Sequence, residues 1–178
     1  YFTNLENKEI IANLHNALFH VSNTSNKAKA EEHKKMALNL FHELGLSYHE
    51  LTIIMDDIVG FWQAGKDEEA RILEIKSVEI YTQTSNQNLK ALCVTLLGRT
   101  YSFFNRTNLG LEYLFEAEEL LRELGEKDLL KNVYLTIAAA YEWILKDSEK
   151  AVRYEINEIN LRKEIAYYEG IQFSYVSY

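Results

Sequence analysis

Apolar residues recur at a step of 40 along this chain, and a sequence that repeats at such an interval is confined to a stack of similar units. Leu14, Ile54, Val94 and Tyr134 form one row; Leu18, Ile58, Gly98 and Ala138 a second; Val21, Phe61, Tyr101 and Tyr141 a third. Within each repeat the rows are four and three residues apart, the spacing of one helical face. A second set follows in each repeat. Ala30, Ala70 and Gly110 share a row with Lys150, whose neighbour Ala151 points to a one-residue shift in the last repeat. Then come Ala37, Ser77, Ala117 and Asn157, and Phe41, Tyr81, Leu121 and Leu161. The small residues let helices approach closely, and the large ones seal the next interface.

Polar breaks divide these faces. Ser22 to Lys27, Gly65-Lys66-Asp67, Asn105 to Asn108 and Lys146-Asp147-Ser148 separate the two helices of a repeat. Leu44-Gly45, Thr84-Ser85-Asn86, Leu124-Gly125 and Glu169-Gly170 separate successive repeats, with glycine suited to a left-handed helix end. Asp67, Asn108 and Asp147 or Ser148 are expected to cap the second helices. There is no proline to break a helix, and runs of Val and Ile at strand periodicity are missing.

The expected class is therefore all-α: an α-α superhelix of about four hairpins, at approximately 5–44, 45–84, 85–124 and 125–170. Residues 171–178 then read as the start of a truncated fifth, because Ile171, Ser174 and Tyr178 repeat an inner face where a terminal repeat would carry a polar cap. The chain begins Tyr1-Phe2-Thr3-Asn4, neither a start methionine nor a signal peptide. It reads as a single repeat domain excised from a longer protein.

Val94, Leu97, Gly98 and Tyr101, followed by Gly110, Leu114 and Ala117, resemble the Trp, Leu, Gly, Tyr, Ala, Phe and Ala of the tetratricopeptide (TPR) consensus at the same internal spacing. The likeness runs over essentially the whole chain and is best in the third repeat. The usual period of about 34 and the proline that ends each unit are not matched, as longer helices would produce. The chain is similar to variants of roughly 40 residues in bacterial signalling and regulatory proteins, where such arrays are joined to an output domain. Leu121-Arg122-Glu123-Leu124-Gly125-Glu126-Lys127, echoed by Phe41-His42-Glu43-Leu44-Gly45, also looks like those arrays.

That resemblance implies a non-catalytic scaffold with a concave surface lined by its first helices. The positions expected to face a ligand are His15, Phe19, Met55, Trp62, Thr95, Arg99, Ser102, Phe103, Glu142 and Trp143, with Ser22, Val59, Leu135 and Ala139 beside them. Trp62 and Trp143 have a second reading, as caps that pack on the following turn. The Lys and Asn clamp with which chaperone-binding members hold a carboxylate is not carried over, since His15, Met55, Thr95 and Leu135 stand at those positions. Arg99 alone remains as an anion contact.

Charge narrows the partners. Nineteen Lys and Arg against 27 Asp and Glu leave a net charge of −8, which repels a phosphate backbone, so direct nucleic-acid contact is not expected. The lone Cys93, within Ala91-Leu92-Cys93-Val94, reads as a small buried thiol and fits a reducing cytoplasm. No membrane span is expected. Among five histidines none has metal-site spacing: His15 and His20 point to different faces, and His33, His42 and His49 belong to solvated ones. Asp57 shares the inward row of Ala17, Leu97 and Ile137, so it needs a local turn, a nearby Lys or Arg, or a role as a ligand-facing acid.

No phosphate loop, nucleophile elbow or Cys-His pairing is present, and neither enzyme activity nor a cofactor is expected. The function expected is binding of a protein or peptide within a bacterial signalling or transcription-regulatory protein. Self-association (a homo-oligomer), or sensing of a small ligand to control a fused output domain, is the alternative.

Overall fold

A computed structural model describes the chain over residues 4–23, 26–104 and 106–175, with side chains between residues 7 and 166 of those ranges. Tyr178 and the side chains of Ile171 and Ser174 lie outside them. The helices are α1 (Asn4–Ser22), α2 (Lys27–Glu43), α3 (Ser47–Gln63), α4 (Asp67–Gln83), α5 (Gln87–Phe103), α6 (Thr107–Leu124), α7 (Lys127–Ala139) and α8 (Ser148–Tyr175). A π-helical turn, Ala140–Leu145, continues α7. No strand occurs among the described residues, and the fold is all-α.

The chain divides into two compact units, 1–85 and 86–178, each holding two hairpins. In the first, α1 packs on α2, α2 on α3 and α3 on α4; in the second, α5 packs on α6, α6 on α7 and α7 on α8. Consecutive pairing of this kind follows from short connections between amphipathic helices.

Gly125 ends α6 with φ 72°; its N–H donates to the Arg122 carbonyl at 3.2 Å, and that of Glu126 to the Leu121 carbonyl at 3.0 Å. This paired closure needs a left-handed residue, which glycine supplies without steric cost. Gly170, expected to end α8, lies instead inside that helix, which runs unbroken to Tyr175. Asn26, Asn86 and Asp147 cap α2, α5 and α8 by accepting from the N–H groups of Lys29, Leu89 and Lys150, each at 3.1 Å. Asp67 and Asn108 do not cap: the turns before them end at Lys66 and Arg106, so both already sit within their helices.

In the first helices the rows are buried from the second repeat onward, with Ile54, Ile58, Val94, Gly98, Tyr101, Tyr134 and Ala138 inside and Phe61 half-buried. The first repeat departs from the pattern. Leu14 and Val21 are 56% and 73% exposed, while Ala12 and Phe19 turn inward. The buried Phe19 stands 11 residues before Ala30, against 12 from Ile58 to Ala70 and from Gly98 to Gly110, so the inward face of α1 is turned by one residue against its partner. Ala12 then joins Ala37, Phe41 and Ile53 in the core of the first unit. In the last repeat Ala151 is buried and Lys150 exposed, the shift expected from the sequence.

Candidate functional site

The second unit holds an open apolar cleft of about 380 Å³. Phe103 comes from the end of α5, Leu135 and Ala139 from successive turns of α7, Glu142 and Trp143 from the π-helical turn, and Glu155 from α8. Residues 135, 139 and 143 lie at four-residue steps and so keep one side of the helix. A π-helical turn accommodates an extra residue within a helix and re-aims the side chains it carries. Trp143 is 67% exposed, Leu135 43% and Phe103 39%, large apolar surfaces held in water. Glu142 and Glu155 put two carboxylates at the lip.

Of the residues expected to face a ligand, Phe103, Glu142 and Trp143 meet in this cleft, together with Leu135 and Ala139. Arg99 is exposed on α5, and Thr95 is half-buried with its hydroxyl donating to the Ala91 carbonyl at 2.7 Å. Ser102 must be corrected: it is fully buried, because Gly110 on α6 brings that helix directly against it.

The first-unit candidates are packing residues. Met55 is buried, in contrast to its expected place on a ligand-facing surface. Phe19 is buried too, with the Lys34 ammonium 5.6 Å above its ring. Trp62 is half-buried and its indole N–H donates to Glu74 on α4 at 3.2 Å, the packing alternative for that tryptophan. His15 is half-buried, its Nδ1 3.0 Å from His33 Nδ1 on α2.

Asp57 is satisfied by a neighbour. Lys34, reaching across from α2, donates to it at 3.1 Å and to Glu31 at 3.0 Å. Burial works against the Lys34 ammonium, yet the hydrogen bonds and charges of Glu31 and Asp57 outweigh it and the pKa ends raised. Burial lifts the Asp56 carboxyl above its ordinary range; the neighbouring Asp57 charge adds to the rise and His20 opposes it. These groups line a polar recess of about 450 Å³.

The histidine placements also need correction. His33 and His49 are half-buried, the latter with its ring centroid 5.1 Å from that of Phe41, whereas His42 is exposed and bonds the buried Glu50 at 3.2 Å. Tertiary packing of α1 on α2 and of α2 on α3 covers faces that a single helix would leave in water. Among the described residues, no group of three or more His, Cys, Asp or Glu is arranged to hold a metal ion.

An aromatic cluster escaped the reading of the sequence. Tyr154 stacks on Tyr141 and Phe115 at 6.1 and 6.4 Å and tilts against Tyr134 at 5.9 Å. Arg122 donates to the Tyr134 hydroxyl at 2.9 Å and pairs with Glu118 at 2.6 Å. Burial, reinforced by Glu118 and the neighbouring tyrosines, pushes the Tyr154 phenol up to about 12. The concentration of tyrosine in the last repeat was the available signal.

No helix among the described residues is long and apolar enough to cross a membrane. No protein-family model matches the chain, and no curated protein matches it.

Proposed function

We propose that the chain is a non-catalytic scaffold of the tetratricopeptide type that holds a peptide segment of a protein partner in the cleft of its second unit. It serves as the sensory or interaction segment of a cytoplasmic bacterial signalling or transcription-regulatory protein. One observation carries this reading: Phe103, Leu135 and Trp143 converge, exposed, on one open cleft. Covering apolar surface is favourable by about 25 cal/mol per Å², and clustered exposed apolar groups mark interaction sites.

Glu142 and Glu155 narrow the partner. An aliphatic or aromatic anchor flanked by Lys or Arg fills the apolar floor and meets the carboxylates at the lip, and the net charge of −8 favours the same sign of ligand. The same charge speaks against a phosphate backbone as partner. The pairing of Lys34 with Asp57 supports a structural, non-catalytic role for that acid.

Panning a random peptide display library on the chain tests the proposal. Enriched peptides are expected to share an apolar anchor beside a basic residue, and Trp143→Ala is expected to lose them. Equal enrichment on wild type and Trp143→Ala sinks this use of the cleft.

A further inference from the structure

The last helix of the second unit carries an apolar stripe that takes no part in the proposed peptide site. Val152, Ile156 and Ile159, four and three residues apart on α8, are 49%, 51% and 46% exposed. Ala151, Glu158 and Leu161 form the buried face of the same helix. With the one-residue shift that sets Ala151 in the row of Gly110, the stripe stands where α6 carries Leu111, Phe115 and Glu118. On α6 that face is covered: Leu111 and Glu118 are buried, and Phe115 stacks on Tyr154. The matching face of α8 is built for packing and is open.

Its charges specify the occupant. Glu149 lies seven residues before Ile156 and Lys163 seven residues after it. Seven residues are two helical turns, so both stay on the side of the stripe, and 149, 152, 156, 159 and 163 follow the alternating three- and four-residue spacing of a coiled-coil seam. Over residues 149–163 the seam is acidic at its first position and basic at its last, with Ile156 midway. A surface of that kind is complementary to itself when turned end for end.

We propose that a second copy of this chain docks on α8, antiparallel, about a twofold axis at Ile156. Each Glu149 then faces the partner's Lys163, and the stem of Arg153 lies over the partner's Ile159. Parallel pairing would instead set Glu149 against Glu149 and Lys163 against Lys163. Glu149 now pairs with Arg153 within its own helix at 2.5 Å; with both side chains exposed, that contact is worth little and leaves the carboxylate available. So short a seam gives a concentration-dependent equilibrium rather than a permanent dimer.

Sedimentation equilibrium over a range of concentrations tests this. The weight-average mass is expected to rise from the 20.8 kDa of one chain toward twice that value. Ile156→Glu is expected to hold it at one chain throughout with helical circular dichroism unchanged. Glu149→Lys and Lys163→Glu each weaken association by roughly tenfold, and a mixture of the two single variants regains it, because every facing pair is then of opposite sign. A wild-type chain that stays at one-chain mass, as it would if another protein were the occupant, overturns the proposal. So does a dimer indifferent to Ile156→Glu, and a mixture that fails to recover overturns the antiparallel arrangement.

Discussion

A β-carbon placed on Gly110 would stand 2.3 Å from the backbone nitrogen of Ser102 and 2.4 Å from its hydroxyl oxygen. Real β-carbons do not approach backbone that closely, so α5 and α6 meet at a distance only glycine permits. Gly110→Ala is expected to force the two helices apart and lower stability by about 1–3 kcal/mol, the usual range for overpacking a filled site. Urea titration followed by circular dichroism measures it. A variant as stable as wild type would mean that α6 can shift freely against α5.

The phenol of Tyr154 gives the second unit a dependence on alkaline pH. Burial raises its pKa from 10.0 to about 12, so the folded state favours the neutral form. That preference contributes fully below pH 10, where the unfolded phenol is also neutral. It is lost as pH rises toward 12, because the unfolded chain ionises first. Thermal melts are expected to fall more steeply between pH 10 and 12 for wild type than for Tyr154→Phe, and parallel curves for the two would contradict the assignment.

Lys146 closes the last first-helix with φ 57°, the one non-glycine residue at positive φ among those described. The other left-handed ends are Gly45, Gly65 and Gly125. A side chain at such a φ costs roughly 1 kcal/mol relative to glycine. Lys146→Gly is expected to raise the melting temperature by a few degrees, offset in part by the greater entropy of the unfolded chain. A fall would show that the lysine side chain supplies a compensating contact.

The rows at 54, 94 and 134 were legible because their first helices keep one period and one phase. The phase of α1 was not, since Leu14, Leu18 and Val21 keep the step of 40 and nothing in the sequence marks the turn of α1 by one residue against α2. That one-residue turn of the helix moves Phe19 from a ligand-facing position to the core. Asp57 could be flagged from its row, but its partner Lys34 lies 23 residues away on another helix and is visible only in the fold. Ser102 follows the helical spacing of Thr95 and Arg99, and only the closeness of Gly110 shows why it cannot reach a ligand. The shift from Lys150 to Ala151 could be read from the sequence; its structural origin, the π-helical turn that also presents Trp143, could not.

The two tryptophans report the two sides of that distinction separately. Trp143 is 67% exposed, while Trp62 is half-buried and bonded through its indole N–H to Glu74. A water-exposed indole emits further to the red and meets an aqueous quencher more often than one packed between helices. Trp143→Phe is therefore expected to shift the emission maximum to the blue and remove most of the quenching by acrylamide. Trp62→Phe is expected to do the reverse and leave a red-shifted, strongly quenched spectrum. Adding a peptide selected on the wild-type cleft to the Trp62→Phe variant should protect the remaining indole, since an anchor seated beside Leu135 and Phe103 covers it. Quenching unchanged by a bound peptide would place that peptide elsewhere on the chain.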